Sequence, residues 1–518
     1  MVNDQATPLS SRERRKSLAA AAVVVLILLI GFWPGFEKGG WAMDEGMVLV
    51  YPELVAHGQL PYRDFETFYG PANPYVLAGA YSIFGTNIFT ERAVGLLYRL
   101  LAVIAIFALA RRWGTTAAAG CAFVAGALLI TTQLIASGWI AAVDCVLIGL
   151  WILSSELGPS RYFFAGLLGG LALLYRPDLG PALVVSALPF LWRVSWRIRA
   201  QYGAGLVVAL LPLAVLTLLA GITNVWENLF LYPVVASNPG RRLPLFSAEP
   251  YALNLLVVHV LGAFVILTAA VLEWRTQRGS VKGRLLLSIA LLSLILTPQA
   301  TQRLDLGHLL FAGLVSLPFL AVALASLIER AAASRFLTGA IGAAAVVALI
   351  TGLVPELGVL VGNAFASGLS TKASGAIFVE QGGRSFPFRS PAAARDAAQL
   401  FEQLQMLSKP GERLFVGPAD LRRTNYCDTF IYHLFPKLPP ATYFLEMNPF
   451  SANRPGSRLT KDVASADWLV LNRAWDNWRE PNRSGENGEN APNEVVQTRF
   501  AQVGEYGPFV LFRRKSGP

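Results

Sequence analysis

The sequence predicts a polytopic α-helical membrane protein carrying a small C-terminal α/β soluble domain, and three observations lead there. Of 518 residues, 54% are hydrophobic and only 15% charged, which exceeds ordinary globular usage. Apolar runs close to the ~20 residues needed to cross a bilayer recur through the first two thirds of the chain. Beyond them the composition turns polar, with short helical and strand-like patterns. The net charge of +10 does not point to nucleic acid, because Lys and Arg fall in short clusters between apolar runs, as the positive-inside rule expects. Nucleic acid is therefore excluded as a partner, and membrane lipids take its place. Three cysteines, Cys121, Cys145 and Cys427, cannot make a disulfide framework, and the first two lie in apolar runs as small hydrophobes.

The chain opens on a cytoplasmic segment, 1–16. Arg12-Glu13-Arg14-Arg15-Lys16 followed by Leu18 to Ile30 has the outline of a signal peptide. Many later spans follow, however, and Trp33-Pro34-Gly35 is a poor cleavage site, so this is an uncleaved first span. Candidate spans lie at 17–35, 88–110, 115–134, 138–154, 161–175, 179–192, 202–221, 253–272, 284–298, 308–327 and 336–355, about eleven in all. With the N-terminus inside, alternate loops carry Arg111-Arg112, Arg161, Arg193 with Arg197 and Arg199, Arg275 to Arg284, and Arg330 with Arg335. That alternation sets the orientation of a multi-pass protein of the plasma (inner) membrane. An odd number of spans puts the C-terminal domain outside. The predicted organisation is a transmembrane domain at 17–355, a Gly-Ser-rich linker at 356–375 and an extracytoplasmic α/β domain at 376–518.

The first outer loop, 36–87, is more than a connector. Residues 44–57 keep Met47, Val48, Val50, Tyr51, Leu54 and Val55 along one side at helical spacing, and 74–84 is apolar but too short to span. Two helices lying in the membrane interface are expected there. In the C-terminal domain, 392–406 reads as a helix, 413–416, 442–445 and 468–471 as buried strands, and 498–503 with 509–513 as a closing hairpin. The Asn-, Glu- and Gly-rich stretch 474–494 reads as an exposed flexible loop.

Three clusters on the outer side are candidates for chemistry. Asp44 and Glu45 follow the first span, with Asp64 and Glu66 about twenty residues on, and ionisable groups where the membrane meets water are costly unless used. The competing role for Asp44 is a helix N-cap. The second cluster is Tyr175-Arg176-Pro177-Asp178, for which a turn with a local ion pair is the alternative. The third is Gln302-Arg303-Leu304-Asp305-Leu306-Gly307-His308, where a solvated loop cap competes. Together they supply carboxylates for a general base or a metal and cations for a phosphate, which fits a reaction with an anionic phosphate leaving group. Arg92, Arg241 and Arg242 add to the cationic set. Arg99 and Asp144, inside spans, are expected to form a buried ion pair, and His57, His259 and His433 to be structural. No H-E-x-x-H, P-loop, G-x-S-x-G or C-x-x-C redirects the reading.

Asp44-Glu45-Gly46, His57-Gly58-Gln59-Leu60-Pro61-Tyr62-Arg63-Asp64, Tyr69-Gly70-Pro71 and Phe84-Gly85 resemble the first outer loop of the GT-C integral-membrane glycosyltransferases. The branch they are most similar to contains bacterial lipid A aminoarabinose transferases and protein O-mannosyltransferases. Arg176-Pro177-Asp178 and Arg303-x-Asp305-x-x-His308 resemble further pieces of bacterial members. The resemblance implies a GT-C-like fold and an inverting transfer of a sugar from a polyprenyl-phosphate donor to a glycan, lipid or protein acceptor at the outer face. It implies Asp44 as base or as holder of a divalent metal ion, the sole cofactor allowed for; Glu45 and Asp64 are read from the residues as further catalytic carboxylates. Arg176, Arg241, Arg242, Arg303 and His308 are the expected contacts to the donor phosphate. Tyr62, Arg63, Asp178 and Asp305 are expected to touch the acceptor or support the site. A transporter or flippase of a lipid-linked sugar is the alternative, since ionisable residues facing a cavity also serve transport. Clustering at one face, with no visible inverted repeat, favours the enzyme. A scaffold presenting the C-terminal domain is the third reading, and it would leave the loop carboxylates without a use.

Overall fold

The structure, a computed structural model, describes residues 10–245, 250–277, 279–329, 354–370 and 375–515. The chain forms two compact units. One comprises Met1–Gly35, Gly95–Leu211 and Leu245–Lys372, the other Phe36–Val94, Pro212–Pro244 and Ala373–Pro518.

The first unit is helical. The helices long and apolar enough to cross a membrane are Ser11–Glu37, Ile88–Trp113, Trp196–Ala220, Tyr251–Thr276, Val281–Gln302 and Leu306–Glu329, with shorter apolar helices at Thr115–Ile130, Gly138–Leu153, Arg161–Tyr175 and Pro177–Leu191. Each coincides with an expected run. The eleventh run, 336–355, lies outside the described residues except for its last two positions. Helix is the natural state of such runs, because it satisfies every backbone group within the segment where no water can do so. The first helix starts at a capping box in which the Ser10 hydroxyl accepts from the Glu13 amide and the Glu13 carboxylate accepts from the Ser10 amide. Close packing uses small residues. A Cβ on Gly166 or Gly205 would collide with a backbone carbonyl, of Tyr202 and of Phe163 respectively, so these two helices touch backbone to backbone. His259 is structural as expected, its ring lying 2.7 Å from the Ser316 hydroxyl and 3.1 Å from that of Thr297.

Two expectations for this unit are corrected. Arg99 and Asp144 lie within electrostatic reach of each other, but no hydrogen bond joins them among the described residues: the Arg99 guanidinium donates to the carbonyls of Gly95, Gln133 and Ile135 and to the Thr132 hydroxyl. The turn that ends the helix before 132 leaves carbonyls without helical partners, and the nearby cation takes them up. The Asp144 oxygens have no hydrogen-bond partner among the described residues. Part of the expected linker is helix Pro355–Leu369, packed against the first helix, with Gly368 against the Ile30 backbone. Its Gly and Ser are the small residues such packing favours.

The second unit holds the sheets. Strands β1 (Ile377–Gln381) and β2 (Arg384–Phe388) form an antiparallel hairpin. Strands β3 (Leu414–Pro418), β4 (Trp468–Asn472), β5 (Phe500–Tyr506) and β6 (Phe509–Arg514) form a four-stranded sheet in the order β3-β4-β6-β5. The β3–β4 pair is parallel and the rest antiparallel. Every residue of β3 and β4 is buried, which is why both read as unbroken apolar runs rather than alternating ones. Helix Pro391–Leu407 is capped by the Ser390 hydroxyl and sinks Ala394, Ala397, Leu400, Phe401 and Leu404 into the core.

Residues 442–445 form no strand; their backbone is held by side chains, Tyr443 N donating to Asp462 and Phe444 N to Thr442. The expected flexible loop is partly ordered, with Ser484 buried and a helix at Ala491–Arg499. The larger correction concerns the first outer loop. Helix Asp44–Ala56 forms as expected, but it is not a free interfacial helix. Leu49, Val50, Tyr51, Leu54 and Val55 share one core with Phe401, Phe430 and Ile431. Gly46 permits the close approach, since a Cβ there would strike the backbone of Thr429 and Phe430. Loop 36–87 and the C-terminal segment, expected as separate parts, belong to one unit and share a core.

Candidate active site

Asp44 is the first residue of helix Asp44–Ala56 and lies half-buried. The N-cap position belongs to Met43, which makes no side-chain cap bond, so Asp44 is a first-turn carboxylate in the favourable field of the helix N-terminus. Its neighbour is differently employed. Glu45 is fully buried and receives two bonds from Arg92, Nε to Oε1 at 2.7 Å and Nη2 to Oε2 at 3.0 Å. Arg92 also donates to the carbonyls of Phe36 and Lys38. Glu45, expected among the catalytic carboxylates, and Arg92, expected in the cationic set, are thus engaged with each other in a bidentate pair.

A carboxylate pair lies deeper. Glu66 and Glu446 are both buried. Tyr51 Oη donates to Glu446 Oε1 at 2.6 Å and to the Glu66 carbonyl at 3.1 Å. Ser451 Oγ donates to the Glu66 carboxylate, and Asn448 Nδ2 to Glu446 Oε2 at 3.1 Å. Burial, and then the charge of Glu446, push Glu66 up to about 8, so it holds a proton at neutral pH. Burial also raises Glu446, on which Arg241 acts in the opposite sense and Asp44 in the same one. Asp44, Glu66, Glu446 and Arg241 thus form one electrostatic group, with the Arg241 guanidinium 5.6 Å from the Phe68 ring centre. Arg242 is exposed.

Asp64 and Arg63 pair with each other through two bonds, Nε to Oδ1 at 2.9 Å and Nη2 to Oδ2 at 2.8 Å. That pairing holds the Asp64 carboxyl below its usual range. Tyr62 is fully buried at φ 72°, strained for a residue with a Cβ. It is fixed by its hydroxyl on the Tyr69 carbonyl and by the Tyr443 hydroxyl on its own carbonyl.

In the helical unit the other candidates form local pairs. Arg176 grips Asp178 with two bonds of 2.9 and 2.8 Å. Arg303 lies 3.2 Å from Asp305, whose Oδ1 also takes the His308 amide at 2.9 Å, with the His308 ring Nδ1 at 2.8 Å. Gln299 donates to Asp178 and receives Trp139 Nε1 at 3.2 Å.

Among the described residues no set of three or more His, Cys, Asp or Glu is arranged to hold a metal ion. In the Glu66–Glu446 pair, three of the four oxygens are taken by Tyr51, Asn448 and Ser451, which leaves Glu66 Oε2 alone without a hydrogen-bond partner among the described residues and makes the pair a poor donor set.

No family model matches the chain, and no curated protein matches it. Solved structures do. The crystal structure of ArnT from Cupriavidus metallidurans bound to undecaprenyl phosphate superposes with a TM-score of 0.56 at 17% identity, over 98% of this chain and 100% of that one. The apo form of the same protein gives 0.55 at 15% identity over the same shares. This chain has the ArnT fold. ArnT is an aminoarabinose transferase of the GT-C class, the branch that the first-loop residues resemble, and the match to ArnT takes in the transmembrane helices and the sheet-bearing C-terminal segment alike. Within this ArnT-like frame, the sequence reading missed Glu446 and gave Glu66 no role. Glu446 directly follows 442–445, which the sequence predicts as a buried strand. The one signal available was a carboxylate inside an otherwise apolar Tyr443-to-Met447 run.

Proposed function

We propose that this protein is an integral-membrane glycosyltransferase of the inner membrane that takes a sugar from a polyprenyl-phosphate donor at the extracytoplasmic face. The observation that carries the reading is the ArnT-like fold over nearly the whole chain, in which ArnT itself is seen with undecaprenyl phosphate. Asp44 is the general base. A sugar hydroxyl is too weak an acid to attack an anomeric carbon unaided at neutral pH, so a carboxylate in reach must accept its proton as the new bond forms. The acceptor oxygen bonds to C1, the bond from C1 to the phosphate oxygen breaks, and polyprenyl phosphate departs with inverted configuration at C1. Arg241 supplies positive charge beside the carboxylates, with Arg242 exposed next to it. In the helical unit, Arg176, Arg303 and His308 are donor-phosphate contacts, each oriented by a carboxylate, Asp178 or Asp305. A protonated Glu66 limits the negative charge in the electrostatic group that includes Asp44.

The test is Asp44→Asn in purified protein reconstituted with polyprenyl-phosphate sugars, following release of polyprenyl phosphate in right-side-out and inverted vesicles. Turnover should fall by about 10²- to 10⁴-fold while donor binding persists, and wild-type activity should appear with the extracytoplasmic face exposed. Near wild-type turnover in Asp44→Asn, which keeps the helix start intact, would remove the catalytic assignment.

A further inference from the structure

The second unit contains a polar cleft of about 330 Å³, large enough for a saccharide unit. Its lining includes Gln59, Asp64, Arg413, Thr442, Tyr443, Arg458 and Asp462. The floor is rigid: buried Asp462 accepts from Tyr443 N at 2.8 Å and from the Thr442 hydroxyl at 3.4 Å. Arg458 lies over the Tyr443 ring at 4.9 Å and donates to Asp462 Oδ1 at 3.2 Å. The charges do not balance. Asp64 is paired with Arg63 and Asp462 with Arg458, which leaves Arg413 as the lining cation without a carboxylate partner among the described residues. Its backbone is nonetheless pinned, the amide donating to Asp467 Oδ2 at 2.8 Å and the carbonyl accepting from Asp467 and Trp468. The exposed guanidinium therefore projects from a fixed point.

We infer that this cleft binds an acidic saccharide unit of the acceptor, its hydroxyls on Asp462, Gln59 and Arg458 and its negative substituent on Arg413. Planar carboxylate, amide and guanidinium groups suit adjacent sugar hydroxyls because each offers paired hydrogen-bonding atoms at matching spacing. An unpaired guanidinium favours a carboxylate or phosphate for the same reason. The cleft deepens the transferase reading, on which the word acceptor rests, by naming the chemistry that reading leaves open.

Binding of methyl glucuronide, methyl glucoside and inorganic phosphate to the full-length protein in nanodiscs, measured by saturation-transfer NMR and titration, tests it. The glucuronide should bind, the neutral glucoside roughly tenfold more weakly, and Arg413→Ala should erase that preference. Arg395→Ala, on the exposed side of helix Pro391–Leu407, should leave it intact. Equal binding of glucoside and glucuronide, or a preference that survives Arg413→Ala, overturns the assignment. Phosphate binding that matches the glucuronide and fully displaces it, with no contribution from Asp462→Asn, would make this a bare anion site and also overturn it. Failure of the transferase reading looks different: glucuronide binding would persist in a wild-type protein that releases no polyprenyl phosphate.

Discussion

The candidate cations of the helical unit and the buried carboxylates of the sheet-bearing unit are partnered in opposite ways. In the helical unit, the candidate cations pair with carboxylates two or three positions away, Arg176 with Asp178, and Arg303 and His308 with Asp305, at partly exposed sites. In the sheet-bearing unit, beside local pairs such as Arg63 with Asp64, the carboxylates that are buried or nearly so take partners from far along the chain: Glu45 with Arg92, Glu66 with Ser451, Tyr51 with Glu446, and Glu53 with His433 and Arg384. Exposed local pairs contribute little to stability, because water screens them and the side chains lose entropy on pairing. A buried pair that loses one partner leaves a charge without solvent, which costs far more. The first arrangement keeps cations adjustable and available to an incoming anion. The second fixes the loop that carries Asp44.

This contrast can be broken most forcefully at Glu45 and Arg92. Arg92→Met alone should destabilise the protein by roughly 3–5 kcal/mol, read as loss of folded protein in thermal melts, with Glu45→Gln acting in the same direction. The double variant Glu45→Leu with Arg92→Met should recover much of that stability together with activity, since replacing both members of a buried pair by apolar groups is often nearly neutral. If stability returns without turnover, Glu45 belongs to the reacting set after all.

A smaller, pH-dependent effect sharpens the comparison. Glu66 has a raised pKa in the folded state, about 8, so its contribution is fully present below the unfolded carboxylate range and is lost as pH rises through about 8. Wild-type melting temperature should therefore decline as pH rises from the ordinary carboxylate range towards about 8 and level off above it. Glu66→Gln, which imitates the protonated form, should flatten that decline, and an unchanged slope would show that the charge penalty lies elsewhere. The smallest stability effect is expected in the helical unit. Asp305→Asn should change unfolding free energy by less than about 1 kcal/mol yet raise the donor KM, because Arg303 and His308 lose their orienting carboxylate. A marked fall in melting temperature would mean that this pair is as structural as Glu45 with Arg92.

What the sequence determined by itself is what local chemistry writes into it. Run length and hydropathy suffice for the membrane helices, because a helix in lipid satisfies its backbone without help from elsewhere. The helical start at Asp44, the Pro391–Leu407 helix and the β5–β6 hairpin were legible for a similar reason, each being fixed by caps, periodicity or turn chemistry within a few residues. So was the pairing of Arg176 with Asp178 as the alternative to a free cation. The tertiary structure alone decided which carboxylates are spoken for. Asp44 and Glu45 are adjacent and look equivalent, and one helical step of about 100° sends Glu45 into the core onto Arg92. Glu66 is separated from Glu446 by most of the chain, and no pattern in residues 442–450 announces that their backbone will be held by Asp462 and Thr442 rather than by a strand ladder. Burial and long-range partners set the protonation of such groups, and both are properties of the packed chain rather than of any window of sequence.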